Sequence, residues 1–456
     1  MARQRPLARS LSVLHAIYVV PGCTILLTAA LLLHGRVRSG PAARIYGGPP
    51  GPDSIAAWRV CAVDRAVGVE LPIRHSPIAV VLHIGSRRIA LDAVTDDEGA
   101  AEVRIPLGSP AESAQVEVLL AGPEPRMLCA GRVPLSVPAW AASQHADPLP
   151  IPGSAEGSLA VSVSPMRGSF AAPYPDKVSI RVIDPTSLLP VSGVAVSIKG
   201  QGMAWDGPPS ATTDDQGRVR LGLRPLDHEV RLEVLATAPG RQGRWTGLLP
   251  VVPGALWLDP RGAADGRLRI SSPVGHRFAY VTTVDRSSRL HATRIPLTPD
   301  EGGAFGEASI PTPPRGAWLL LSPDPPGRET PSVAWPVLAP DSADPRPSLR
   351  MRTPLLVDGM PMAERLMKRQ SLRTRVRALS VLGLGALLEA ALMWLRARQL
   401  QDEVDRALAA MPDAEPDLAV TMRGGKGFWL RMVVACALAG LAFFAVALVT
   451  WLGTGG

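Results

Sequence analysis

Few residues of this chain stand at the spacings that enzyme active sites use. His228 and Glu229 begin like the helix of a zinc protease, but no second histidine follows, and the surrounding residues are strand-like. The glycine-rich stretch 423–427 (RGGKG) lacks the preceding strand that a phosphate-binding loop needs, which favours a flexible basic hinge. The sequence therefore predicts no catalytic residue, no cofactor and no metal ligand, and it indicates a protein that is not an enzyme.

Two acidic stretches carry nearly the same letters, TDDEGAAEVRIPL at 95–107 and TDDQGRVRLGLRPL at 213–226. Clustered aspartates can bind Ca²⁺, but Ca²⁺ needs about six or more oxygens from several positions, and the EF-hand spacing is absent. An aspartate that opens a tight turn, with a glycine three residues later, is typical of a turn between strands. We therefore interpret both stretches as β-hairpins and not as metal sites.

Four cysteines are present, and two of them, Cys23 and Cys436, lie in apolar segments. Cys61 and Cys129 are each flanked by strand-forming residues, WRVCAV and RMLCAG, so they could face each other inside one β-sandwich. Two unrelated buried thiols are the alternative. A disulfide could form if this part of the chain is exported to an oxidising compartment. We therefore hypothesise a disulfide between Cys61 and Cys129.

The elements around the acidic stretches recur in one order. Each stretch is preceded by a strand-like run, 79–84 or 194–199, and followed by an alternating run, 115–119 or 231–235. A fainter third copy lies within 278–321. Short strands separated by turn signals every 8–12 residues or so predict β-sandwich modules.

Changes of composition at proline- and glycine-rich linkers set the module boundaries. The predicted modules cover 55–138, 158–252 and 256–340. The chain has 456 residues, including 47 prolines and 43 glycines, which is long enough for several domains of short strands. Lysine is scarce and asparagine absent, and because both have AT-rich codons, the bias indicates a GC-rich bacterial genome.

Residues 11–33 form an apolar run long enough to cross a bilayer. The run follows three N-terminal arginines, and we interpret it as an uncleaved anchor. A cleaved signal peptide is one alternative, but no clean small-x-small site ends the run. A lipoprotein signal acylated at Cys23 is another, and Pro21 and the apolar continuation argue against it.

Two further spans are predicted near the C-terminus, at 378–395 and 432–452. Glu389 lies in the first of them and is costly in lipid, so it is either a functional carboxylate or one that reaches the membrane interface. A short helix at 400–411 is expected between the spans, ended by the proline-containing stretch PDAEPD.

The segment 361–377 is predicted to be a basic juxtamembrane helix. Four of its arginines are spaced by four and form one slowly rotating stripe, which favours contact with anionic lipid headgroups over a solvated face. They are Arg365, Arg369, Arg373 and Arg377. The net charge is +8, and because the dense basic cluster lies beside a membrane segment, we expect a membrane partner and no nucleic acid.

One part of the chain resembles a known class of module. The stretch DKVSIRVIDPTSLLPVSGVAVSIKG, followed by ATTDDQGRVRLGL, resembles the immunoglobulin-like modules of bacterial envelope proteins. It is similar to macroglobulin-type and carboxypeptidase regulatory-like domains through the strand entry at 190–196 and the turn at 213–217. The resemblance covers about 160–250 well and 55–135 less well, and it implies Ig-like sandwiches. The Cys–Gln thioester of macroglobulin inhibitors is absent, so protease trapping is not implied.

The predicted fold class is mainly β, with two to three tandem Ig-like β-sandwich modules between N-terminal and C-terminal transmembrane helices. The positive charges that flank the spans divide equally between the two sides, so we place the bulk of the chain outside the cytoplasm because β-sandwich arrays are usually exported. The expected function is non-catalytic contact with other envelope proteins in a bacterial membrane assembly. The alternatives are a membrane sensor or enzyme-accessory subunit that reads an extracytoplasmic ligand, and a peptidase-associated module.

Overall fold

The computed structural model describes the chain in segments that fall into two compact units. The described residues are 19–33, 40–51, 53–66, 69–108, 111–136, 150–285, 288–327, 331–338 and 354–410, with a few positions between 434 and 446. One unit, the β unit, comprises Pro41–Asp64 and Leu71–Met360. The other, the helical unit, comprises Met1–Gly40, Arg65–Glu70 and Pro361–Gly456. The fold is mainly β, with antiparallel sheets, a long apolar helix towards the C-terminus and a short apolar helix near the N-terminus.

The first sheet pair packs two sheets over one apolar core. Its strands are β1 Gly40–Gly47, β2 Ile55–Ala66, β3 Val69–Pro72, β4 Pro77–Ile84, β5 Arg87–Val94, β6 Ala100–Pro106, β7 Ser113–Leu120, β8 Arg126–Pro134 and β26 Leu355–Asp358. One sheet has the order β26–β1–β2–β3, with β6 also paired to β2, and the other has the order β5–β4–β7–β8. Because side chains alternate along a strand, Trp58, Val60 and Ala62 of β2 all enter this core.

The second sheet pair also packs two antiparallel sheets over one apolar core. Its strands are β9 Gly153–Gly157, β10 Ala160–Pro165, β11 Asp176–Ile183, β12 Ala195–Gln201, β13 Met203–Asp206, β14 Ser210–Thr212, β15 Arg218–Pro225, β16 Arg231–Ala238 and β17 Arg241–Leu248. The two sheets have the orders β10–β11–β15–β13 and β14–β12–β16–β17–β9. The core between them contains Phe170, Ile180, Leu223, Val234 and Trp245.

The third sheet pair has the smallest number of strands. They are β18 Trp257–Leu258, β19 Arg267–Ser272, β20 Phe278–Asp285, β21 Ser288–Pro296, β22 Thr298–Asp300, β23 Gly303–Ser309, β24 Trp318–Ser322 and β25 Val333–Pro336. The two sheets have the orders β18–β19–β23–β22 and β21–β20–β24–β25. Trp335, Leu319 and Ile270 lie in the core between them.

The two acidic stretches form the same turn in the first and second sheet pairs. In each, the opening aspartate accepts hydrogen bonds from backbone N–H groups two and four residues later, at 2.9 and 2.9 Å for Asp96 and at 2.9 and 2.8 Å for Asp214. Gly99 and Gly217 adopt φ values of 72° and 64°, which residues with a Cβ rarely tolerate. The turn prediction is confirmed.

The hairpin interpretation of these stretches is wrong for the first two copies. The strands on either side of Asp96 are β5 and β6, and those on either side of Asp214 are β14 and β15, and in both cases the two strands belong to different sheets. The turn therefore carries the chain from one sheet of a pair to the other. Only the third copy is a hairpin, because β22 pairs with β23 and Asp300 lies opposite Gly303.

The helical unit contains α1 (Val19–Leu33) and α2 (Met360–Ala409). The few positions described between 434 and 446 are also helical. Among the described residues, α2 is the one helix long and apolar enough by composition to cross a membrane. The segments 361–377, 378–395 and 400–411, which were expected as separate elements, lie in this single helix of 50 residues up to Ala409. The reason is that no proline interrupts the chain between Pro361, which is tolerated in a first turn, and Pro412.

The other two predicted spans are described only in part. Of 11–33, the structure describes 19–33, which is the helix α1. Most of 432–452 lies outside the described residues.

Candidate functional site: two buried arginine joints

Arg167, on the loop after β10, is 3% exposed and connects the second sheet pair to the third. Its Nε and Nη2 atoms lie 3.0 and 2.8 Å from Oδ2 of Asp176, at the start of β11. Its Nη1 donates a hydrogen bond of 2.7 Å to the carbonyl of Leu258 on β18. The guanidinium carbon lies 4.4 Å from the ring centre of Trp335 in β25. One side chain thus binds a carboxylate of its own sheet pair and a carbonyl and an aromatic face of the next.

The loop that carries Arg167 supplies side chains to both neighbouring cores. Phe170 belongs to the core of the second sheet pair, and Ala171 belongs to the core of the third. Tyr174 stacks on Trp257 with ring centres 5.2 Å apart, and burial raises the pKa of the Tyr174 hydroxyl to about 12. The loop is therefore part of the packing between the two sheet pairs.

A second set of charged residues connects the first sheet pair to the third. Arg59 on β2 lies directly opposite Glu102 on β6, on the face of the sheet away from its core. Its Nε donates to Oε1 of Glu102 at 2.5 Å, and its Nη1 donates to the carbonyl of Pro325 at 2.7 Å. The guanidinium carbon lies 4.7 Å from the ring centre of Tyr280 on β20.

Glu102 binds a second buried arginine from the third sheet pair. Arg289 on β21 donates from Nη2 to Oε2 of Glu102 at 3.2 Å, and from Nη1 to the carbonyl of Tyr46 at 3.0 Å. Arg59 and Arg289 are 2% and 3% exposed. The single carboxylate of Glu102 therefore binds one arginine of the first sheet pair, Arg59, and one of the third, Arg289.

The acidic turn of the first sheet pair lies at the edge of this contact. Asp96 Oδ2 is 3.1 Å from Nη1 of Arg294 and accepts a hydrogen bond of 3.4 Å from the hydroxyl of Tyr280. Arg294 in turn lies over the ring of Phe278, 4.4 Å from its centre. The same carboxylate that closes the turn through Oδ1 thus contacts the third sheet pair through Oδ2.

We call these two sets the arginine joints: the first–third joint (Arg59, Glu102 and Arg289) and the second–third joint (Arg167 and Asp176). Each contains a buried guanidinium, a carboxylate, a carbonyl from the third sheet pair and an aromatic face. A buried charge is tolerated only when it is paired and hydrogen-bonded, so each joint is satisfied only while the sheet pairs stay packed.

The electrostatics of the first–third joint are those of a permanent ion cluster. Burial lowers the pKa of Arg289 to about 10, with Glu102 acting in the opposite direction, so Arg289 stays protonated at neutral pH. Burial, and then the carboxylate of Asp96, raises the pKa of Tyr280. Burial and the nearby Arg104 lower the pKa of His291, which is therefore neutral at pH 7. The arrangement holds charges in place and presents no activated nucleophile.

None of the joint residues stands out in the sequence as a functional residue. Arg59 and Glu102 stand at positions where strand alternation predicts an outward, solvated side chain, and nothing local shows that a second sheet covers that face. Arg167 gives a weak signal, because it is a charged residue in a loop between Met166 and the apolar residues at 170–172.

The structure contradicts the predicted disulfide between Cys61 and Cys129. Both are buried free thiols. Because Val60 and Ala62 point into the first core, strand alternation sends Cys61 to the opposite face, where it packs with Tyr280, whereas Cys129 lies inside the core. The two thiols therefore lie on opposite sides of the sheet that contains β2, Cys61 on its outer face and Cys129 in the core that its inner face covers.

We expect both thiols to resist alkylation in the folded protein and to react after denaturation without any reductant. Burial raises both pKa values from 9.0 to about 12, which at pH 8 leaves about a thousand-fold less thiolate. The folded state also keeps these protons while the unfolded state releases them, so this contribution to stability falls as the pH rises from about 9 to 12. Maleimide labelling followed by mass spectrometry measures the reactivity of both thiols. If the denatured protein is labelled only after a reductant is added, the disulfide hypothesis is correct after all.

The four predicted headgroup-binding arginines, Arg365, Arg369, Arg373 and Arg377, are all exposed on α2. Leu366, Leu372 and Val376 are exposed between them, at 44%, 53% and 53%. A cationic stripe with apolar neighbours suits the interface of an anionic membrane. Headgroup contact stays a prediction.

Glu389 is buried on α2, at 3% exposed, although it lies in the predicted span. Four residues earlier, Gly385 leaves no room for a Cβ beside Thr24 of α1, and Thr24 and Thr28 are the buried hydroxyls of that helix. The two helices therefore pack closely through small and hydroxyl side chains, as membrane helices often do.

Among the described residues, no group of three or more His, Cys, Asp or Glu side chains is placed to hold a metal ion. His228 and Glu229 lie in the loop between β15 and β16, not on a helix, and the stretch 423–427 lies outside the described residues.

No protein-family profile matches the chain. No curated protein matches it. Similar solved structures include a tetra-tandem repeat from the extending region of a large adhesion protein, 12% identical over 62% of this chain and 70% of that chain, with a TM-score of 0.18. Invasin, a bacterial integrin-binding protein, is 11% identical over 62% of this chain and 56% of its own, with a TM-score of 0.17.

Salmonella alpha-2-macroglobulin reacted with methylamine is 13% identical over 69% of this chain, which spans 23% of that structure, with a TM-score of 0.16. Macroglobulin is one of the classes that the sequence resemblance named. With TM-scores this low, the fold described above depends on the sheets themselves and not on these similarities.

Proposed function

We propose that the chain is a non-catalytic, membrane-anchored bacterial envelope protein whose β unit presents three tandem Ig-like modules for contact with other proteins. The three modules are the three sheet pairs. Support comes from the recurrence of one strand order, β5–β4–β7–β8, β14–β12–β16–β17 and β21–β20–β24–β25, in one sheet of each pair.

The observation that carries the proposal is the pair of arginine joints. Modules joined only by linkers lose orientational freedom when a partner binds two of them, and that loss weakens binding. Modules that buried ion pairs already hold in place do not lose this orientational freedom when the partner binds. The β unit is thus suited to present a continuous, preformed surface.

Anchoring is supported by the two apolar helices and by the path of the chain. The strands β1 and β26 pair antiparallel, with Ile45 opposite Val357. The chain therefore enters and leaves the β unit through neighbouring strands, next to the segments that lead to α1 and α2. That path suits a β unit held on one side of a bilayer.

Affinity purification of the full chain from native membranes in a mild detergent tests the contact function. We expect one or more partner proteins at a fixed ratio, and we expect the arginine-joint variant Arg167→Met to lose them while it still inserts into membranes. A lone monomer that binds a small molecule instead would favour the sensor function and contradict the proposal.

We also expect residues 36–350 to lie outside the cytoplasm. Protease added to spheroplasts should cleave this region and leave the segment 396–428 intact, because the predicted export of β-sandwiches places the two on opposite sides of the membrane. Protection of 36–350 together with cleavage of 396–428 would reverse the topology.

A further inference from the structure

The loop between β11 and β12 exposes two adjacent leucines at its tip. Leu188 and Leu189 are 69% and 64% exposed, among the most exposed large apolar side chains described in the β unit. Single exposed apolar residues are common on protein surfaces, whereas two adjacent leucines at the end of a projecting loop need a reason.

The tip is ordered by its own hydrogen bonds and is not a loose segment. Asp184 Oδ1 accepts from the backbone N–H groups of Thr186 and Ser187 at 2.8 and 3.2 Å. The backbone of Asp184 accepts from Leu188 at 2.8 Å and donates to Leu189 at 2.9 Å. These N–H groups hold the pKa of Asp184 below its ordinary value, so the carboxylate stays charged and the tip stays closed.

Leu188 itself is held in an unfavourable backbone conformation. Its φ is 60°, in the left-handed region that a bulky residue rarely enters. Such strain persists only where the surroundings enforce it, and it concentrates at functional sites. Here the enforced conformation presents both leucines to solvent.

Cations lie on the outer face of the sheet whose strand β11 ends at the tip. Arg181 stands three residues before Asp184 and lies opposite Arg218, and Arg220 lies opposite Ser179 on the same face. Arg181 and Arg220 are exposed. Like charges in adjacent strands repel each other, so this face favours an anionic partner. Asp184, three residues after Arg181, is already bound by Arg241 at 2.9 Å.

We propose that this loop, which we call the leucine tip (residues 184–190), together with Arg181 and Arg220, is a binding site for an anionic lipid bilayer surface. The leucines enter the boundary between headgroups and acyl chains, and the arginines contact the anionic headgroups. A bilayer uses both features at once, whereas an acidic protein face would satisfy the arginines and leave the leucines in water. The proposal rests on the proposed function, in that it gives the membrane-anchored chain a second membrane contact.

Vesicle capture by the full chain tests the site separately from its anchor. The chain is first inserted into nanodiscs of phosphatidylcholine, and this insertion alone tests the proposed anchoring. The loaded nanodiscs are then mixed with phosphatidylcholine vesicles that contain about a third phosphatidylglycerol, and the vesicles are floated on a density gradient. We expect the vesicles to carry the nanodiscs with them, and vesicles of pure phosphatidylcholine to carry far less.

Two double variants and two controls define the site. Leu188→Ser with Leu189→Ser, and Arg181→Gln with Arg220→Gln, should each lower capture at least ten-fold, because each exposed leucine and each cation contributes roughly five-fold. Leu226→Ser and Arg231→Gln are matched controls, since Leu226 is 58% exposed just after β15, at the opposite end of the sheet, and Arg231 lies on another sheet. Both controls should capture vesicles like the unchanged chain.

Three outcomes would overturn the proposal. In the first, nanodiscs that carry the chain do not capture anionic vesicles. In the second, the arginine variant loses vesicle capture and the leucine variant keeps it. In the third, the control variants lose as much vesicle capture as the two double variants. Polyglutamate added as a competitor distinguishes an acidic protein partner from a bilayer. If polyglutamate binds the nanodiscs and abolishes vesicle capture, and if the leucine variant binds polyglutamate equally well, the site belongs to acidic proteins instead.

Discussion

Replacing Glu102 with glutamine should lower the free energy of unfolding of the β unit by about 3 kcal/mol or more. The substitution leaves Arg59 and Arg289, which are 2% and 3% exposed, without the carboxylate that binds them both. Loss of one partner of a buried ion pair is costly because the remaining charge has no water to solvate it. Urea unfolding of the purified chain in detergent, followed by tryptophan fluorescence, measures the shift of the midpoint.

Glu307→Gln is the matched control for this experiment. It removes the same charge from an exposed pair, in which Glu307 lies 3.6 Å from Arg269 and the two side chains are 64% and 61% exposed. Exposed pairs contribute at most about 1 kcal/mol. Equal losses for the two variants would show that Glu102 is not a buried bridge.

Replacing Arg167 with methionine should cost about 3–5 kcal/mol. The long apolar side chain preserves much of the packing, but Asp176, whose side chain is 7% exposed, becomes an unpaired buried carboxylate. Trp335 and Trp257 lie 4.4 and 5.7 Å from the guanidinium, so their fluorescence should report the change locally.

A second substitution separates the lost charge from the lost packing. In the double variant Arg167→Met with Asp176→Asn, no buried charge remains, and we expect at least half of the lost stability to return. A double variant as unstable as the single one would show that the arginine acts through shape alone.

The features that the sequence predicts correctly are local ones. The turns at Asp96 and Asp214 depend on one aspartate and one glycine a few residues apart, so their residue types alone specify them. The continuity of α2 could also have been predicted, since no proline separates the basic segment from the span.

The features that the sequence does not predict depend on distant parts of the chain. Whether the turn at Asp96 joins paired strands or different sheets depends on pairings with strands elsewhere. Arg59 reaches the carbonyl of Pro325, and no periodicity within β2 shows that a third sheet pair will cover that face. The disulfide hypothesis failed for a local reason, because Val60 and Ala62 place Cys61 on the other face.

The proposed function requires the arginine joints to hold the three sheet pairs in one fixed arrangement. The direct test is a pulsed electron paramagnetic resonance distance between spin labels on Arg88→Cys in β5 and Arg231→Cys in β16, both exposed, in the full chain with Cys23 and Cys436 replaced by serine. We predict one narrow distance distribution, which broadens when Arg167→Met is added. A broad distribution in the chain with the joints intact would contradict the claim.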